Sequence, residues 1–222
     1  MIFFKKNRKE KIFCISMQRN GTTSVGDFYE EFGFARAGWF HTKKNDWSKK
    51  YFDGDYEAIF NSDDFVENIV FEDGPWSIGD FYKVLFHRFP KAKFVLITRD
   101  PDEWFDSMVS HSNGRTLGNT FRHSCVYNRE TEYYDKIGGT HDYESNEVDN
   151  LLELNEEHRN HYVQYYIIRH RQLFDFFLSK NPSGSRLIHL DLKDESKWVK
   201  LAEFSGFMVP NDYRIHSNKS DK

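Results

Sequence analysis

Only two of the 222 residues are cysteine, Cys14 and Cys125, which excludes a disulfide scaffold. Cys14 sits inside an apolar run, the ordinary setting of a buried and unreactive thiol. Long hydrophobic runs are also missing: nothing approaches the ~20 residues of a bilayer-spanning helix. The first ten residues lack the apolar centre and small-residue cleavage site of a signal peptide, so a cytoplasmic protein is expected. Positive charge is not in excess. A net charge of −4 and a pI near 6.2 do not suit the broad basic face that nucleic acid requires. No nucleic-acid partner is expected, and any anion must be gripped locally. The basic start, Lys5, Lys6, Arg8, Lys9 and Lys11, reads as a solvated segment. Asn20-Gly21-Thr22 has the form of a glycosylation acceptor, but a glycan there would cover a loop with a better use. Internal repeats and low-complexity segments are absent.

What is present is core material: 38% hydrophobic, 18% aromatic and 30% charged residues, with no signature of disorder. The length fits a single domain over residues 1–222. Runs rich in β-branched and aromatic residues predict strands over Lys11 to Ser16, Asn68 to Glu72, Lys93 to Thr98 and Arg186 to Leu190. Each is followed by helical periodicity. Val25, Phe28, Tyr29 and Phe32 fall at i, i+3, i+4 and i+7, with Gly33 where a helix cap belongs. Ile78, Phe81, Tyr82, Leu85 and Phe86 repeat the pattern, Ser77 with Asp80 resembles a capping box, and Pro90 stops the helix. Asp100-Pro101-Asp102-Glu103 reads as N-cap, first-turn proline and acidic third position, predicting a helix through about Val109. A long helix is predicted from about Glu147 to Lys180, with Val163, Tyr166, Ile167, His170, Phe174 and Phe177 on one face and Asn181-Pro182-Ser183-Gly184 ending it. Alternating strands and helices predict an α/β fold of three layers, α/β/α, with a central parallel sheet and ligands at the carboxyl ends of its strands. Between Ser112 and Asn146 the periodicity fails, as in a lid or acceptor-binding insert.

After the first strand come Met17, Gln18, Arg19, Asn20, Gly21, Thr22, Thr23 and Ser24. A polar turn, a glycine and a hydroxyl-rich helix start make an anion cradle: glycine lets the backbone approach, and the helix's leading N–H groups and macrodipole favour negative charge. The nucleotide-triphosphate motif G-x-x-x-x-G-K-[ST] is not matched, and no lysine lies between Lys11 and Lys43. The loop suits a smaller anion than a triphosphate with magnesium. A second basic strand end follows at Arg99, with Ser107 two turns into the next helix on the side of Asp100 and Glu103. Arginine offers bidentate, permanently charged contacts to one phosphate.

Arg19-Asn20-Gly21-Thr22-Thr23-Ser24 resembles the 5′-phosphosulfate loop of sulfotransferases, and Arg99 with Ser107 eight residues on is similar to their 3′-phosphate signature. Phe71-Glu72-Asp73-Gly74-Pro75-Trp76 lies where many of these enzymes face the acceptor. The stretch from His161 through Leu187 to Leu190, Trp198, Phe204, Gly206, Pro210 and His216-Ser217-Asn218 resembles the closing segment of a small P-loop sulfotransferase subfamily. Met17 and Asn20 depart from the commoner glycine, proline or serine. The resemblance implies a P-loop nucleotide-hydrolase-like fold and 3′-phosphoadenosine 5′-phosphosulfate (PAPS) as co-substrate, with no metal required. It assigns Gly21, Thr22 and Thr23 to the 5′-phosphate, with Gln18, Asn20 and Ser24 in the same loop, Arg19 to the bridging oxygen and sulfuryl group, and Arg99 with Ser107 to the 3′-phosphate.

An acceptor hydroxyl needs a general base. The candidates are Asp73, Glu72 and His41, with Asp73 the choice. His158 and His161 lack a third metal ligand and read as a solvated helix face. A small-molecule or glycan acceptor is expected, with Tyr127, Tyr133, Tyr134 and Tyr143 as aromatic lining; the oligomeric state is left open. The rival readings are a P-loop small-molecule kinase, against which the missing Gly-Lys pair counts, and a catalytically silent nucleotide-binding module, against which Arg19 counts.

Overall fold

The computed structural model describes residues 10–111, 121–136 and 154–215. They fall into two compact units, one running to Thr98 and resuming at Ser183, the other spanning Arg99–Pro182.

The first unit is built on five parallel strands: β1 (Ile12–Cys14), β2 (Arg36–Ala37), β3 (Val70–Phe71), β4 (Lys93–Thr98) and β5 (Leu187–Asp191), in the order β2-β3-β1-β4-β5. Strands covered on both faces read as continuous apolar runs; Phe94, Val95, Leu96 and Ile97 of β4 are all buried accordingly. Side chains alternate across the sheet. Ile12, Cys14, Val70, Val95 and Ile97 point to one face, where they meet Val25 and Phe28 of α1 (Thr22–Glu31) and Trp198 and Leu201 of α11 (Lys197–Ser205). Phe28 stacks on Trp198 at 5.3 Å. Phe13, Phe71 and Phe94 point to the other face, where they meet further aromatic rings. Phe65 of α5 (Asp63–Glu67) stacks on Phe71 at 4.7 Å, and Trp47 of α3 (Trp47–Phe52) meets Trp76 at 5.3 Å. Phe13 touches rings on three sides, Phe71, Trp76 and Phe94, so truncating it would cost about 3–5 kcal/mol. The three expected layers and the parallel sheet are therefore present.

Four differences from the sequence reading have local causes. The short strand β2 and the helices α2 (Trp39–Lys44), α3, α4 (Tyr56–Phe60) and α5 are too short to show a period. Helix α6 (Phe81–Arg88) begins at Phe81, with Asp80 rather than Ser77 at its N-cap; the Asp80 carboxylate makes no cap bond and pairs with Lys83 instead. Helix α10 (Arg159–Lys180) starts later than expected because Asn155 and His158 close a capping box just before it; residues 147–153 lie outside the described residues. Its buried face runs through Tyr162, Tyr166, Arg169, His170, Leu173 and Phe177, while Val163, Ile167 and Phe174 are only half-buried. The tyrosine rings set that rotation by packing on Trp104 at 6.4 and 4.6 Å.

Two expectations hold closely. Gly33 takes φ 79°, and Phe34 N–H reaches back to Tyr29 C=O at 3.0 Å, closing α1. In the second unit Asp100 accepts from the amides of Asp102 and Glu103 at 3.0 and 3.1 Å, starting α7 (Pro101–Ser110). Of the expected insert, residues 121–136 form α8 (Phe121–Val126) and α9 (Glu130–Lys136); residues 112–120 and 137–146 lie outside the described residues, as do residues 1–9 and 216–222. Among the described residues no helix is long and apolar enough to cross a membrane.

Candidate functional site

The chain leaves β1 without leaving the sheet at once: Ile15 N–H still bonds Val95 C=O at 2.9 Å. Ser16 then turns its hydroxyl inward, accepting from Ile97 N–H at 2.7 Å and from the Cys14 thiol at 3.4 Å. That buried bolt anchors the loop to two strands. Sequence reasoning passed over Ser16, although a polar residue ending an apolar strand was the available signal. Cys14 is buried as expected, and burial pushes its thiol up to about 12.

Arg19 and Gly21 both take positive φ, 67° and 77°, so the loop doubles back before α1 begins. Gly21 occupies the N-cap with no side-chain cap, a place where Ser, Thr, Asp or Asn would ordinarily satisfy the leading amides. The first helical bond runs from Val25 N–H to Gly21 C=O at 3.2 Å. The amides of Thr22, Thr23 and Ser24 thus precede the ladder, at the positive end of a ten-residue helix with no acidic residue in its first turn. A Cβ on Gly21 would come 3.0 Å from Leu192 Cδ1, at a φ that L side chains rarely adopt. Gln18, Arg19 and Thr23 are partly exposed along this turn, while Asn20, Thr22 and Ser24 are buried. The structure therefore brings all seven sequence-predicted residues, Gln18 to Ser24, onto one loop and one helical turn.

The neighbouring strand end carries two carboxylates of different kinds. Glu72, 2% exposed, receives Arg36 Nη2 at 2.9 Å and Nε at 3.3 Å on Oε1, and its Oε2 has no hydrogen-bond partner. Arg36 also holds Asp27 and, at 3.0 Å, Glu30, both on α1. Two glycines make room for this cluster. A Cβ on Gly38 would fall 2.2 Å from Glu72 Oε1, and one on Gly26 would fall 2.5 Å from Arg36 Nε. Burial, and then the charge of Asp73, push the Glu72 carboxyl up to about 7 against the pull of Arg36. Asp73 lies at φ 72°, and burial raises its carboxyl too, opposed by the Gly74 amide and by Arg36. Arg36 hydrogen-bonds Glu72 and not Asp73. The sequence reading missed Arg36; its only mark was a lone charge among Ala35, Ala37 and Gly38.

His41 sits half-buried on α2, which follows β2 and is tied to the Asp73 turn by the Thr42 hydroxyl donating to Gly74 C=O. The three base candidates thus stand at the carboxyl ends of the adjacent strands β2 and β3. Trp39 and Phe40, also on α2, are 60% and 68% exposed. By contrast Tyr127 and Tyr133, expected as acceptor lining, are fully buried; Tyr127 packs on Tyr162 at 4.7 Å. Those two rings are core. Tyr134 is half-buried, and Tyr143 lies outside the described residues.

In the second unit Arg99 is half-buried, with Nη2 at 3.9 Å from Glu103 Oε2. Its peptide is held by Tyr166, whose hydroxyl accepts from Arg99 N–H at 3.0 Å and donates to Arg99 C=O at 3.3 Å. Ser107, half-buried, stands one further turn along α7 from Glu103. His158 is committed to the Arg129 guanidinium at 3.0 Å and His161 to the Tyr127 carbonyl at 2.6 Å, a structural use of both rings.

A family model described as "Sulfotransferase domain" matches residues 11–222. No curated protein matches the chain.

Proposed function

The chain belongs to the sulfotransferase domain family, and from that membership we propose that it transfers the sulfuryl group of PAPS to a hydroxyl or amine of a small-molecule or glycan acceptor. The observation that carries the donor assignment is the start of α1. A glycine in the left-handed region sits where a capping side chain is usual, and no carboxylate occupies the first turn. Such a helix mouth fits a phosphosulfate, a smaller anion than a triphosphate with magnesium.

In this reading the amides of Thr22 and Thr23 and their hydroxyls hold the 5′-phosphate, with Gln18, Asn20 and Ser24 shaping the loop. Arg19 lies along the bridging oxygen and the sulfuryl group. Arg99 and Ser107 take the 3′-phosphate. Sulfuryl transfer passes through a loose, charge-spread transition state by analogy with phosphoryl transfer, so positioning and fixed dipoles do most of the work. Asp73 accepts the acceptor's proton as the oxygen attacks sulfur in line, and adenosine 3′,5′-bisphosphate departs. Asp73 suits this better than Glu72, whose Oε1 is already held by Arg36. Trp39 and Phe40, exposed near the Asp73 turn, offer apolar surface to the acceptor.

The test is incubation with ³⁵S-labelled PAPS and an acceptor panel in the presence of a chelator. Labelled acceptor and adenosine 3′,5′-bisphosphate are expected. ATP consumption that requires magnesium would establish a kinase instead, and tight nucleotide binding with no turnover across the panel would establish a silent module.

A further inference from the structure

We propose that Tyr166 is a positioning residue for the 3′-phosphate: its hydroxyl, bonded to both the N–H and the C=O of Arg99, fixes the direction in which the guanidinium leaves the backbone. The inference rests on the reading above that Arg99 is the 3′-phosphate ligand.

Arg99 directly follows the last residue of β4 and directly precedes the N-cap Asp100. It is a one-residue hinge between sheet geometry and helix geometry, where neither ladder dictates both peptide groups. A single phenol oxygen supplies the missing constraint, accepting at 3.0 Å and donating at 3.3 Å. Fixing both peptide groups of one residue restricts φ and ψ together, and with them the Cα–Cβ direction. The phenol itself is rigidly placed. Tyr166 is buried on α10, its ring lies 4.6 Å from that of Trp104 on α7 and 4.0 Å from that of His170, and its carbonyl bonds His170 Nδ1 at 2.8 Å. Trp104 stands five residues beyond Arg99, so the ring packs on the helix whose entry its hydroxyl sets. A long flexible arginine gains most from such bracing, because less freedom is then lost when the fork closes on phosphate.

The test is a double-mutant cycle read by calorimetry with two probes, adenosine 3′,5′-bisphosphate and 5′-AMP, which differ only in the 3′-phosphate. Tyr166→Phe keeps the ring and removes the hydroxyl. It should weaken the bisphosphate about tenfold, the scale of a lost polar contact, and leave 5′-AMP within about twofold. In an Arg99→Ala background the same substitution should change neither probe further. Equal weakening of both probes, no weakening of either, or an unchanged effect in the Arg99→Ala background would each overturn the role of Tyr166. Failure of the functional reading looks different: Arg99→Ala alone would then leave the preference for the bisphosphate over 5′-AMP intact. Circular dichroism and thermal melts establish that each variant is folded before its affinity is read.

Discussion

Replacing Glu72 by glutamine should remove a pH dependence that the fold imposes on itself. Glu72 is buried against Arg36, with one carboxylate oxygen lacking a hydrogen-bond partner, and its carboxyl is raised from an ordinary 4.5 to about 7, by burial first and by Asp73 second. The folded state therefore binds this proton more readily than the unfolded chain. The stability that follows is fully present below about pH 4.5 and is lost as pH rises through about 7. The gap corresponds to about 3 kcal/mol, or roughly 6–12 °C in Tm for a chain of this size. The charged groups facing Glu72 are Arg36 from β2, Asp27 from α1 and Asp73 beside it. Glutamine keeps an acceptor for Arg36 and cannot titrate. Urea or thermal unfolding of Glu72→Gln and the parent, compared at each pH so that all other groups cancel, should show the variant gaining about 3 kcal/mol on the parent between pH 4.5 and 8. Adding Asp73→Asn to the parent should move the same window to lower pH, because one like charge is gone. A stability difference that stays flat across this range would refute the argument that Glu72 is held buried and raised.

Gly21→Ala combines a left-handed backbone with a Cβ 3.0 Å from Leu192; it should cost about 1–2 kcal/mol in a melt and weaken adenosine 3′,5′-bisphosphate by at least an order of magnitude in calorimetry. Ser16→Ala leaves the Ile97 amide buried without its 2.7 Å acceptor, so stability should fall by about 1–3 kcal/mol, with hydrogen exchange at Ile97 accelerating. Asp73→Asn should lower kcat by about 10²–10⁴ in the labelled-transfer assay while nucleotide affinity stays within about twofold; an unimpaired kcat would move the base to Glu72 or His41.

What the sequence carried was local. The β1 run, the Arg19 to Ser24 loop, the β4 run and the Asp100 cap were legible because strand propensity, turn glycines and caps act within a few residues of each other. Gly33 closed α1 for the same reason. The Arg36–Glu72 pair was invisible because its members are 36 residues apart and meet only through β2–β3 pairing. Tyr166 was readable as an inward-facing ring, yet its bond to Arg99 spans 67 residues and no periodicity encodes it. The α2 to α5 segment defeated pattern reading because five- and six-residue helices offer barely more than one turn. Tyr127 and Tyr133 misled in the opposite sense: aromatic residues in a polar stretch look like a binding surface, and here they fill a core.

The most direct measurement of the central claim needs no acceptor. Calorimetric titration of the protein with adenosine 3′,5′-bisphosphate, 5′-AMP and ATP, each with and without magnesium, reports which anion the chain was built to hold. The account predicts that the bisphosphate binds at least tenfold tighter than 5′-AMP and is indifferent to the metal. Magnesium-dependent ATP binding with no measurable affinity for the bisphosphate would contradict it.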